Sequence, residues 1–180
     1  DEDHGVTARA TILPLLEHVL GLECVLCGAT YEVDDLDYVC PDHGDDGILD
    51  VVYDYVGIRE QVRRDGLDGT SMWRYRRLLP IAERAEVPPL HIGGTPLYEA
   101  PRLASSLGLR NLWVKDEGVQ PTGSLKDRAS AMAVVKAAER DAAVVTTAST
   151  GNAAAALAGV CASVGQTNVI FVPASAPQAK

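Results

Sequence analysis

The chain has 180 residues, 47% of them hydrophobic, and 25 acidic against 16 basic side chains give a formal net charge of -9. That length and apolar content can bury a core of one domain with a small appendage, which excludes a disordered chain, and the negative charge argues against nucleic acid or an anionic membrane as a partner. No apolar run approaches a membrane span and Asp1-Glu2-Asp3-His4 lacks the regions of a signal peptide, so a cytoplasmic location and small-molecule or protein partners are expected.

Ile12, Leu15, Leu16 and Val19 have helical spacing despite Pro14, and Gly21 ends the stretch, so a short helix is predicted over residues 8–20. From 22 to 56, β-prone pieces at 30–33, 38–39 and 48–53 alternate with Asp- and Gly-rich turns, the pattern of a small β module. Three of the four cysteines fall in this module. Cys24-x2-Cys27, twelve residues, then Cys40-x2-His43 sets two ligand pairs on two tight knuckles, the spacing of a zinc ribbon. Four protein ligands leave no position for water, so the zinc is expected to be structural; the alternative is a ribbon that holds no metal. Asp34, Asp35, Asp37, Asp42, Asp45 and Asp46 around it would repel nucleic-acid phosphates.

Residues 57–64 and 71–79 are Arg-rich and predicted helical; Pro80, Pro88 and Pro89 close that region, and 88–95 is the expected linker. The expected division is an N-terminal segment at 1–20, the ribbon-like module at 21–56, a helical connector at 57–92, and a further domain from 93 to 180. There β and α alternate: a helix at 102–107, a strand at 111–115, a helix at 124–139, a strand at 143–147, a helix at 151–164 and a strand at 168–172. Val144-Val145 and Val169-Ile170-Phe171-Val172 are continuous apolar runs, as in parallel strands covered on both faces, so an α/β fold with an open, mostly parallel sheet is predicted.

Two segments of this half carry chemistry. In Pro121-Thr122-Gly123-Ser124-Leu125-Lys126-Asp127-Arg128, Ser124 and Asp127 read as a capping box that sets Lys126 in the first helical turn. The positive end of the helix dipole there favours the neutral amine, the form that attacks an aldehyde. Read locally, an ordinary helix start with a solvated lysine is the better reading. A phosphate loop on Gly118 and Gly123 fails because Ser124 stands where lysine is required. In Ala148-Ser149-Thr150-Gly151-Asn152 a strand runs straight into a helix, so amides and hydroxyls converge where open α/β sheets place ligands. Asn152 alone could be a plain helix cap. The two segments together favour a site.

Gly93-Gly94-Thr95-Pro96-Leu97, Val114-Lys115-Asp116-Glu117, Pro121 to Arg128 and Ala148 to Asn152 follow the order and spacing of fold-type II pyridoxal-phosphate (PLP) enzymes. The Cys module, Tyr53-Asp54-Tyr55 and Met72-Trp73-Arg74-Tyr75 with Leu79-Pro80 resemble threonine synthases, and the likeness covers nearly the whole chain. It implies a Schiff base between Lys126 and PLP, Asn152 near the cofactor's phenolic oxygen, and Ser149, Thr150 and Gly151 at the carboxylate of an amino-acid substrate. The implied reaction turns O-phospho-L-homoserine and water into L-threonine and phosphate, with Lys126 shuttling protons. Leu125 and His43 replace a usual Phe and Cys without disturbing this chemistry. Ala153 replaces a usual Thr after the Asn and leaves the exact reaction open: a paralogue such as cysteate synthase, or a threonine or serine dehydratase, shares the lysine. From another class, a non-catalytic zinc-ribbon binding module is the alternative. Family members are considerably longer, so the chain is expected to be an N-terminal fragment that alone binds PLP poorly, with a homodimer left open for the full-length protein.

Overall fold

The computed structural model describes residues 16–33, 35 and 38–176. The first unit is an antiparallel sheet of β1 (Val19–Cys24), β2 (Thr30–Tyr31) and β3 (Leu49–Tyr53) in the order β2-β1-β3. Most of the helix predicted over 8–20 lies outside the described residues, and its end is corrected: Val19 and Leu20 already belong to β1, with Val19 opposite Tyr53. Pairing along a partner strand overrides the local helical spacing. The strand predicted at 38–39 is a single bridge, Val39 to Ile48, and that at 30–33 shrinks to β2.

Helix α1 (Tyr55–Asp65) comes next. Asp54 caps it, accepting from the Gly57 amide at 2.9 Å, and Arg63 and Arg64 in the last turn oppose the negative end of the dipole. The second predicted helix is instead a 3₁₀ helix, Met72–Leu78, interrupted at Tyr75 (φ -97°, ψ 17°). Its first amide, Met72 N, donates to Ile92 O at 2.6 Å, so the end is satisfied by a distant segment and the chain tracks that segment rather than an α-helical path.

The expected linker at 88–95 is corrected, with larger consequence. Ile92 is 0% exposed and lies in the main core cluster with Met72, Ala131, Val134, Leu157, Val160 and Cys161. Part of this segment is core, and it binds the 3₁₀ helix to the second half of the chain.

Beyond it, β4 (Leu97–Glu99) pairs antiparallel with β5 (Trp113–Lys115), joined through α2 (Pro101–Ser106). Then come α3 (Lys126–Glu139), β6 (Val145–Ala148), α4 (Asn152–Val164) and β7 (Asn168–Phe171), with β6 and β7 parallel. The α/β class stands. The open, mostly parallel sheet does not among the described residues, whose strands form three separate sheets, one of them parallel. β5 takes an antiparallel partner, β4, that three exposed residues do not betray in sequence.

Helix α3 buries Asp127, Ser130, Ala131, Val134 and Val135, the i, i+3, i+4, i+7, i+8 stripe, and from it Ala131 and Val134 share a core cluster with Leu157, Val160 and Cys161 of α4. Small side chains let the two helices approach closely. In the β6–β7 pair, the face of Val145, Thr147, Asn168 and Ile170 is half-buried, with Val145 packed on that core. The opposite face, Thr146, Ala148, Val169 and Phe171, is exposed, so among the described residues only one face of the pair is covered.

Candidate functional site

The β module ends in two knuckles of matching backbone. Gly28 N donates to Cys24 O and Gly44 N to Cys40 O, each at 2.9 Å, and these turns aim Cys24, Cys27, Cys40 and His43 at one point. The four ligand atoms lie within 4.8 Å of one another. Cys24 Sγ is 3.9 Å from His43 Nδ1, Cys27 Sγ 3.9 Å from Cys40 Sγ, and Cys40 Sγ 3.5 Å from His43 Nδ1. The edges of a zinc tetrahedron are about 3.8 Å between sulfurs and about 3.6 Å between sulfur and nitrogen, so the donor set fits that ion. The Tyr31 hydroxyl lies 3.1 Å from Cys40 Sγ; its hydrogen bond, with that of His43, lowers the Cys40 thiol to about 6 and raises the Tyr31 phenol. A thiolate is the form that ligates metal. Gly47 is required beside it, since a Cβ there would stand 2.6 Å from His43 Cβ and 2.9 Å from Cys40 Cβ.

In the second unit Lys126 is the first residue of α3, and its side chain is exposed. Among the described residues its Nζ has no hydrogen-bond or ion-pair partner. The predicted capping box does not form. The Ser124 hydroxyl accepts from Lys126 N at 3.3 Å, while the Asp127 carboxylate turns back to Thr122, accepting from its amide at 2.8 Å and from its hydroxyl. Asp127 is 0% exposed, and a buried carboxylate must be met by donors, which Thr122 of its own loop supplies.

Sequence reasoning missed a second group just beneath. Glu117 accepts from Arg128 Nε at 2.9 Å and Nη2 at 2.8 Å, from Thr95 Oγ1 at 2.6 Å and from Gln120 Nε2 at 2.8 Å. Gln120 Oε1 in turn accepts from the Gly93 amide at 3.0 Å, and Lys115 Nζ donates to Thr95 O. Three separate stretches of the family pattern are thereby one hydrogen-bonded hub. The Arg128 guanidinium first, and Thr95 next, hold the Glu117 carboxyl well below the usual carboxylate range. Opposite charges at 117 and 128 are visible in sequence, but no spacing rule links them.

The Ser149–Asn152 turn leaves the end of β6. Ser149 N donates to Phe171 O at 3.2 Å, which ties the turn to β7, and Ser149 Oγ accepts from Gly151 N at 3.2 Å. Asn152 opens α4 and is exposed; Ser149 and Thr150 are half-buried, and Ala153 comes next on the first turn. Helix α3 leads into β6 and α4 leaves it, so both helices return along the strand and both N-termini stand toward its carboxyl end. Lys126 and Asn152 are therefore the first residues of two packed helices. No hydrogen bond joins Lys126 to Ser149, Thr150 or Asn152 among the described residues. An unpartnered amine at the start of one helix, and hydroxyls and a carboxamide at the start of the helix packed on it, are the groups that suit a cofactor with an aldehyde and anionic oxygens.

Residues 89–180 match the family described as pyridoxal-phosphate dependent enzyme. The threonine synthase of Methanosarcina acetivorans is 44% identical over 153 residues, which cover 85% of this chain and 37% of that protein. That of Methanocaldococcus jannaschii is 40% identical over 152 residues, covering 83% and 37%. For the threonine synthase of Synechocystis the figures are 41% over 100 residues, 55% and 26%. The chain thus spans little more than a third of the length of the two methanogen relatives. No helix among the described residues is long and apolar enough to cross a membrane.

Proposed function

The chain belongs to the pyridoxal-phosphate dependent enzyme family, and from that membership we propose that it is the lysine-bearing part of a threonine synthase, acting on O-phospho-L-homoserine and water to release L-threonine and phosphate. The observation that carries this reading is the free Lys126 amine at the start of α3, in a chain 44% identical across most of its length to a threonine synthase. PLP, when bound, supplies the electron sink that stabilises a substrate carbanion. Lys126 would hold the cofactor by its Nζ, and the same amine would take and return protons. Asn152 would donate to the cofactor's phenolic oxygen. The Ser149 and Thr150 hydroxyls and the Thr150 amide, in the turn that Gly151 completes at the positive end of α4, would hold the substrate carboxylate. Glu117 and Arg128 touch none of the reacting atoms and fix the loop between them.

The test is turnover of the whole protein with O-phospho-L-homoserine, measuring phosphate and threonine together. Equal amounts of both are expected. PLP bound at Lys126 with no phosphate released would sink the substrate assignment in favour of a paralogue such as cysteate synthase, because Ala153 stands where threonine synthases usually carry Thr.

The Cys24, Cys27, Cys40 and His43 cluster is proposed to hold structural zinc. Metal analysis should find about one zinc per chain, and Gly47→Ala should lose it, since its Cβ overlaps two ligand-bearing residues. Full zinc retention in that variant would remove the cluster as the site.

A further inference from the structure

We infer that Thr122 is a positioning residue that sets the Lys126 loop against the helix of Asn152, with Gly159 as its seat; the inference rests on the reading of Lys126 as the cofactor lysine. Thr122 is held from both ends. Its amide and its hydroxyl both donate to the buried Asp127 carboxylate, which closes residues 122–127 into one turn around Lys126. Its methyl faces the middle of α4. A Cβ built on Gly159 would stand 2.7 Å from Thr122 Cγ2, a separation no real pair of carbons adopts, and the next atom, Thr122 Cβ, is at an ordinary 4.0 Å. At Gly159 the loop therefore meets α4 through the Thr122 methyl group, set into the gap left by the glycine.

Gly159 lies in α4 on the same side as the loop, two turns from Asn152. Asp127 adjoins Lys126 on the other side of the contact. A shift of Thr122 is transmitted through two hydrogen bonds to the residue next to Lys126, while Asn152 moves only with α4. The contact of methyl and glycine thus adds to the packing of α3 on α4 in fixing the separation of amine and carboxamide. Neither Thr122 nor Gly159 needs to touch cofactor or substrate for this.

The sign of one substitution distinguishes this from a glycine that merely occupies a helix. In a helix interior, alanine is ordinarily more stable than glycine. Gly159→Ala in the whole protein is expected to do the reverse, lowering the melting temperature by about 4 °C because the Cβ drives into Thr122 Cγ2. It should also weaken PLP uptake on Lys126, measured by borohydride trapping and peptide mass, by about tenfold. Thr122→Ser removes Cγ2 and keeps the hydroxyl for Asp127. In that background Gly159→Ala should become neutral or stabilising, and PLP uptake should return to the Thr122→Ser level.

If Gly159→Ala raises the melting temperature in the parent, or if Thr122→Ser fails to relieve its defect, the contact is not there and the inference falls. If melting shows the expected reversal while PLP uptake stays unchanged throughout, the contact is structural and the positioning role falls. A parent protein that takes no PLP on Lys126 overturns the cofactor reading instead; the melting reversal then still judges the contact between Thr122 and Gly159.

Discussion

Lys126→Ala in the whole protein is expected to abolish the visible absorption of bound PLP and all phosphate release, leaving the melting temperature of the cofactor-free protein within about 1 °C of the parent. The asymmetry comes from the geometry. Lys126 is exposed at the first position of α3 and has no partner among the described residues, so nothing in the fold depends on its side chain. Alanine is also a strong helix former at such a site. Chemistry, by contrast, loses its only covalent anchor. A surviving band that borohydride bleaches would show that another amine carries the cofactor, and the reading of Lys126 would fail. A large loss of stability would show that the amine is a structural group after all.

Arg128→Ala is expected to do the opposite, damaging the fold first and activity in consequence. Glu117 would lose two of its four hydrogen bonds, and its carboxylate, only 20% exposed, would keep its charge without its cation. Removing one partner of a fully buried pair costs about 3–5 kcal/mol. The Arg128 side chain is 34% exposed, so solvent screening reduces this to about 2 kcal/mol. For a chain of this size that is a fall of roughly 4–8 °C in melting temperature. Because Thr95, Glu117, Gln120 and the Gly93 amide share the network, loosening the hub should also weaken PLP binding.

The deficit carries a pH signature. Glu117 is held below its ordinary carboxylate value in the folded chain, so the folded state binds fewer protons there than the unfolded one. The stabilisation is therefore complete above the unfolded value of about 4.3 and is lost as pH falls through the lower folded value. Melting curves of parent and Arg128→Ala should differ by a constant amount from about pH 5 upward and converge below about pH 4. A gap that stays constant into strong acid would remove Glu117 as the source of the effect.

The Cys/His cluster is legible in sequence because its members lie in two short pairs, and knuckles close over two or three residues whatever the rest of the chain does. The same holds for Lys126 and Asn152, each placed at a helix start by its own turn. The capping box fails for a related reason: Ser124 and Asp127 have the right spacing, but local spacing cannot say that the carboxylate is buried. Once it is, Thr122 supplies both donors. The 3₁₀ helix over Met72–Leu78 is likewise decided by Ile92, twenty residues from Met72 in a stretch that reads as a proline-rich linker.

Sequence alone determined where the residues proposed to carry chemistry stand locally: Lys126 at a helix start, the Ser149–Asn152 turn between strand and helix, and the two Cys/His pairs on their knuckles are set by residue type and short-range spacing. Only the tertiary structure decided what holds them in place. The Glu117–Arg128 hub joins residues 93 to 128 and the Thr122 contact reaches Gly159, across separations where side-chain identity says nothing about distance. Pairing at that range depends on how helices and strands stack, and stacking is settled by burial of the whole core rather than by any one motif.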